Sequence, residues 1–219
     1  MNILSLFVVI PLLTMLGLWA ARNINQVRGV MVTGATALLA LSAWLTIYFI
    51  GERAAGNTAE MLLTSSVEWF PSLNICYAVG VDGISVVMLL LSSIIVFTGT
   101  FATWQLKNMP KEFFLWFTLL STGVYGFFIS IDLFTMFMFY EVALIPMYLL
   151  IGYWGSGNKE YAAMKLTLML MGGSALIILG LVGIYFFNGA TTMHILQIAH
   201  NNCISPEVQN VLFPFVFIG

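Results

Sequence analysis

The chain has 219 residues, of which 61% carry hydrophobic side chains and only 7% are charged, with a mean hydropathy of +1.01. Soluble domains hold about 25% charged residues, so this composition excludes a water-soluble globular protein and indicates a polytopic membrane protein. The net charge of −2 and the lack of any basic block exclude nucleic acid as a partner.

Uncharged runs mark the membrane spans. The first lies in Met1–Ala21. It is as apolar as a signal sequence, but no positive charge precedes its apolar core and more spans follow, so it is read as a retained helix. The second occupies Gly29–Ile50, and a polar stretch from Gly51 to about Val79 follows, carrying Glu52, Glu60 and Glu68. Further spans are expected in Gly83–Thr103, Phe113–Ile131, Leu133–Tyr153 and from about Tyr161 to Phe186; a seventh run opens at Val211 and stops at Gly219. All are expected as helices, because only helices and closed barrels satisfy the backbone in lipid, and the alternation of barrel strands is missing. The fold class is therefore an all-α polytopic membrane protein with about six complete transmembrane helices and the start of a seventh.

Orientation follows from the basic residues. With the N-terminus outside, Arg22, Arg28, Lys107, Lys111 and Lys159 fall in inner loops and only Arg53 in an outer one, a strong positive-inside bias. Trp19, Trp104 and Trp154 then lie at the inner ends of helices, where an interfacial aromatic belt would put them. The polar stretch Gly51–Val79 is expected across the outer surface. The segment Ala190–Asn202 reads as a short interfacial helix there. Its His194 and His200 are six apart, poor spacing for two ligands on one helix face, and are expected as surface or loop-packing histidines. Cys76 and Cys203 are too few and too far apart in sequence for a metal or redox motif. They are expected to be unpaired, although this topology also permits a disulfide between them.

The fifth span holds the residue on which a function can rest. Glu141 sits near the middle of LFTMFMFYEVALIPMYLLIGY, where a charge costs about 2.5–3.5 kcal/mol on insertion scales. Its neighbours one turn away, Phe137, Met138, Leu144 and Ile145, offer no hydrogen-bond donor. Glu141 therefore stays protonated or meets a donor from another helix or from a water-filled cavity. Pro146, five residues on, cannot give its amide to the helix ladder and frees a carbonyl near Val142, which marks a weak point or break in the helix. A carboxyl beside weakened helix suits proton handling; a buried acid with a purely structural partner is the alternative.

Other charges at membrane depth are more ambiguous. Lys165, about one turn inside the sixth span, either snorkels its ammonium to the headgroups or serves as a proton relay within the bundle. By helix rise it lies roughly 12 Å nearer the inner surface than Glu141, so a water-bridged coupling is expected rather than direct contact. Gly172, Gly173 and Ser174 form a small-residue patch suited to close helix approach. Asp82 reads as a helix cap, with an outer proton mouth as the alternative, and Asp132 as a cap in the turn before the fifth span. No phosphate-cradling glycine loop, CxxC pair, nucleophile elbow or HExxH motif is present.

GVDGIS opening the third span, FMFYEVALIPMYLLIGYWG through the fifth and AAMK in the sixth resemble the antiporter-like membrane subunits of respiratory complex I, the bacterial NADH:quinone oxidoreductase, and most closely those of the M type. The resemblance runs from about Gly80 onward. It implies residues 1–79 as an N-terminal two-helix segment with an outer loop, and residues 80–219 as the first of two inverted half-repeats, interrupted at the start of its seventh helix. It also implies that Glu141 is the family's proton-transferring glutamate and Lys165 a lysine commonly seen on the sixth helix. The family's helix-seven lysine and second half-repeat have no counterpart before Gly219, so the chain is expected to be the N-terminal part of a longer protein.

The function so implied is proton translocation across a bacterial inner membrane, coupled to electron transfer in other subunits. This chain would bind no cofactor or metal itself; NADH, FMN, iron–sulfur clusters and quinone would belong to its partner subunits. Its own partners would be the other membrane subunits of the complex, the lipid bilayer and protons. Two alternatives remain: the large subunit of a multisubunit Na⁺/H⁺ antiporter, and a membrane scaffold in which the charges only pair.

Overall fold

The computed structural model describes residues 2–70, 75–104, 106, 109–189, 192–200 and 204–219. Lys107, Cys203 and parts of the Ala190–Asn202 segment lie outside them. Among the described residues, six helices are long and apolar enough to cross a membrane: α1 (Leu6–Ala20), led in by a 3-10 turn at Ile3–Ser5, α2 (Ile24–Ala54), α3 (Gly83–Ala102), α4 (Pro110–Ile129), α5 (Leu133–Trp154) and α6 (Lys159–Phe187). These are the six expected spans, so the chain is a multi-pass membrane protein. Two short helices follow, α7 (Ile195–His200) and α8 (Pro206–Ile218). Helix α2 outruns its uncharged core at both ends because polar turns outside the lipid still obey helix rules; the Gln26 side chain, for instance, accepts from the Arg22 and Asn23 amides. Helix α8 likewise starts five residues before its apolar run, at Pro206, a residue preorganised for a first helical turn.

One element departs from an all-helical chain. The polar stretch after α2 contains strands β1 (Leu62–Phe70) and β2 (Ile75–Val81), paired in a two-stranded sheet. With so short a connection they run antiparallel. The strands are rich in β-branched and aromatic residues, and the intervening Pro-Ser-Leu-Asn has turn composition.

The chain divides into two compact units, Met1–Ser65 with Val79–Ile129 and Ser66–Ala78 with Ser130–Gly219. The first contains α1 to α4. Its helices pack through small residues: Gly34 of α2 lies against Thr14 of α1 so closely that a Cβ there would overlap the threonine side chain, and Gly17 meets Val30. Buried hydroxyls are satisfied within the bundle. Thr118 donates to the Phe114 carbonyl, and Tyr125, stacked at a tilt on Phe7, donates to Ser93 Oγ at 3.2 Å.

In the second unit α6 packs against both α5 and α8. The turn between α5 and α6 needs glycine at Gly157, whose φ is +69°. A Cβ on Gly173 would meet the Gly219 carbonyl, and one on Gly180 would meet Val216, so α8 lies close against α6. The Gly172–Ser174 patch thus serves, in part, as a close-approach surface. At the hairpin end of this unit Ile75, Tyr185 and Met193 form an apolar cluster, with Phe134 packed against it.

Candidate functional site

Helix α5 begins at a well-made cap. Asp132 takes an extended conformation and its Oδ2 accepts from the Thr135 amide at 3.1 Å and from Thr135 Oγ1 at 3.3 Å. Thr135 Oγ1 also lies 3.2 Å from the Cys76 carbonyl, to which it can donate instead, and the Ile131 amide donates to Ala78, so β2 is tied to the start of α5. On the other side, the Leu133 amide donates to the Met193 carbonyl and the Ile195 amide to Ile131, closing an antiparallel bridge between Asp132 and His194. Asp82 caps α3 in the same manner, accepting from the Ser85 amide at 2.7 Å.

Asp132 is only 1% exposed. Burial pushes its carboxyl above the usual carboxylate range, while hydrogen bonds from Thr135, and weaker ones from the Cys76 and Phe134 amides, pull it back. The thiol of Cys76 is pushed up as well, first by burial and then by the negative charges of Asp132 and Glu68. Cys76 is a free thiol; Cys203 lies outside the described residues.

Nine residues into α5 from that cap stands Glu141, half-buried, with its Oε1 fully enclosed and without a hydrogen-bond partner among the described residues. This is the expected predicament of an acid surrounded by residues that cannot donate. The break expected at Pro146 is milder than a break: α5 runs unbroken from Leu133 to Trp154 with Pro146 buried inside it. The proline removes one rung of the ladder and crowds one turn, and packing holds the rest.

Lys165 is exposed on α6 and forms no ion pair with Glu141 among the described residues. The register explains this. Gly152 of α5 packs against Ala163 of α6; moving along the antiparallel pair from there brings Glu141 about level with Ser174, and Lys165 about level with Leu150. The acid and the amine are therefore separated along the helix axis by nine residues, or about 13 Å. The structure keeps the two groups on adjacent helices but does not bring them together. Ser174 is buried, its hydroxyl donating to the Met171 carbonyl at 3.1 Å.

Sequence reasoning missed the bridge between Asp132 and His194, since residues 62 positions apart leave no local signal. Among the described residues no three His, Cys, Asp or Glu side chains cluster as a metal site would require.

Residues 130–219 match the family described as NADH:quinone oxidoreductase/Mrp antiporter, transmembrane. The NAD(P)H-quinone oxidoreductase chain 4 2 of Thermosynechococcus vestitus is 29% identical over 168 residues, covering 77% of this chain and 32% of the relative. The NAD(P)H-quinone oxidoreductase chain 4 of Prochlorococcus marinus is 35% identical over 153 residues, covering 68% of this chain and 29% of the relative. In fold, a chain of respiratory complex I from Thermus thermophilus superposes with a TM-score of 0.81 at 20% identity, over 98% of this chain and 43% of that one. A chain of the Mrp complex from a Dietzia species does so with a TM-score of 0.79 at 23% identity, over 98% and 39%. The chain thus spans about a third of the length of these curated relatives.

Proposed function

From the membership of residues 130–219 in the NADH:quinone oxidoreductase/Mrp antiporter transmembrane family, we propose that this chain is the first half of a proton-translocating membrane-arm subunit, of the M or chain 4 type, in a respiratory NADH:quinone oxidoreductase. The observation that carries the reading is Glu141: a carboxyl in the middle of a spanning helix, with an enclosed oxygen that has no donor within the described chain. Ionised, that group needs a donor from elsewhere; protonated, it can give the proton up when one arrives. Electron transfer in partner subunits, which would hold NADH, FMN, iron–sulfur clusters and quinone, would shift Glu141 between those two states. Lys165 would couple to it through water along the α5–α6 pair, given the axial offset. The membrane would be the bacterial inner membrane, with the N-terminus on its periplasmic face, as the distribution of Arg and Lys favours.

The test is Glu141→Gln in the full-length subunit within its complex. The expected result is normal assembly with proton pumping lost during quinone reduction in inverted vesicles. Unchanged pumping removes Glu141 from the mechanism. Reduced assembly with intact pumping per assembled complex would favour the scaffold.

The likeness to an Mrp complex chain supports a second reading, the large subunit of a multisubunit Na⁺/H⁺ antiporter. Vesicles that exchange Na⁺ for H⁺ without any quinone or reductant would decide for it.

A further inference from the structure

Helices α1 and α4 pack against one another within the first unit, yet an open groove of about 450 Å³ remains beside them, lined by Leu12, Met15, Leu16, Trp19 and Leu115. The α1 residues recur at intervals of three and four, so they form one stripe about 10 Å long. Leu16 and Trp19 remain 63% and 75% exposed. Apart from the Trp19 indole, no lining side chain carries a hydrogen-bond donor. The Trp19 end of the groove is cationic. Lys111 stands one turn before Leu115 on the same face of α4, and its ammonium gives two of its three N–H groups to the Trp19 and Ala21 carbonyls. Arg22 follows Ala21 directly; its side chain is exposed and has no hydrogen bond or ion pair among the described residues. Glu112, the acid next to Lys111, lies about 100° round α4 from it and pairs with neither cation among the described residues.

We propose that this groove binds one anionic phospholipid, with an acyl chain along the α1 stripe and the phosphate at Arg22 and Lys111. The remaining Lys111 N–H and the Arg22 guanidinium supply charge-assisted donors to the phosphate oxygens. Hydrocarbon along the groove and cations at one end match the two parts of a lipid, as in other basic pockets between membrane helices. Trp19 stands between the two, where an interfacial indole sits. A neighbouring helix is a poorer occupant. It is about 10–12 Å across, so it can place only single side chains in a groove of about 450 Å³. A zwitterionic lipid carries its own cation, which the two basic groups repel, so a net negative headgroup is selected.

The test places the full-length subunit, alone and in its complex, in phosphatidylcholine bilayers. Either phosphatidylglycerol or phosphatidylcholine with brominated acyl chains is then added in steps. Bromine in contact with an indole quenches its fluorescence, and the Trp19 share is the part missing in Trp19→Phe. Brominated phosphatidylglycerol should quench Trp19 half-maximally at a mole fraction roughly tenfold lower than brominated phosphatidylcholine does. Arg22→Gln changes an exposed side chain without a partner among the described residues, so the fold should persist while the preference falls about fivefold, the effect of one basic group near an anionic headgroup. Equal quenching by the two lipids, or a preference unmoved by Arg22→Gln, overturns the proposal. A Trp19 that lipid reaches in the lone subunit but not in the complex gives the groove to a neighbouring subunit, and overturns it too.

Discussion

The Lys111 ammonium reaches from the first turn of α4 to the end of α1, donating to the Ala21 carbonyl at 2.8 Å and to the Trp19 carbonyl at 2.9 Å. A helix leaves its last carbonyls without partners, and a cation there also meets the negative end of the dipole. Arg28 treats Trp104 similarly, donating to its carbonyl at 2.6 Å and lying 4.9 Å over its ring, and Lys159 donates to Tyr153 near the end of α5. Three of the basic residues that set the sequence-based topology are therefore also helix caps. Lys111→Met should cost about 1 kcal/mol, since the site is partly exposed, and lower the melting temperature in detergent by a few degrees. Lys111→Arg should recover part of the loss. Equal melting of wild type and Lys111→Met would show that the cap contributes nothing.

Gly34 and Thr14 set the spacing of α1 and α2. Gly34→Leu should prevent close approach and abolish stable insertion of the pair. Gly34→Ala should cost about 1–3 kcal/mol, the usual range for overpacking. The informative measurement is the double variant with Thr14→Ala, which removes the obstructing group: stability should return most of the way. Additive losses would place the clash elsewhere.

Asp132 makes a prediction about capping and pH together. Asp132→Ala should be about 1 kcal/mol less stable than Asp132→Asn, because only the asparagine still accepts the Thr135 amide. Burial raises the folded carboxyl above its unfolded value, so folding favours its protonated form. Its stabilising contribution is full below the unfolded value and is lost as pH rises through the folded one. Chemical unfolding from pH 3 upward, about the ordinary carboxylate value of 3.9, should show this slope in wild type and not in Asp132→Asn.

Cys76 should be a sluggish nucleophile. Its thiol is raised by burial and then by Asp132 and Glu68, so less thiolate is present at a given pH. With Cys203 replaced by serine, maleimide labelling at pH 8 should be slower than for a small exposed thiol, and should keep accelerating as pH rises further. Glu68→Gln should speed it. A rate already flat by pH 8 would contradict the raised thiol.

The spans were legible because burial in lipid imposes one requirement, an uncharged run of sufficient length, and α1 to α6 each meet it. Glu141 was legible for the converse reason: an acid inside such a run has no bland explanation in its own helix. The hairpin was not read, though LTSSVEW and ICYAV flank a short turn-like segment, because its three glutamate-bearing neighbourhoods looked simply polar. The offset between Glu141 and Lys165 could be estimated from helix rise alone, since two consecutive antiparallel helices have a register fixed by their short turn. Asp132 and His194 could not be joined that way. Their pairing depends on where the chain returns after α6, which no periodicity encodes.

Pro146 carries a consequence for hydration. By withholding its amide it leaves the Val142 carbonyl without its usual ladder partner, and Val142 directly follows the acid whose Oε1 also lacks a donor. Two adjacent acceptors in an apolar segment make opposite demands on their surroundings from the rest of α5. A single water molecule, with two hydrogens to give, can answer both at once. Hydration of α5 is therefore favoured at this turn, where water meets a backbone acceptor and a side-chain acceptor side by side.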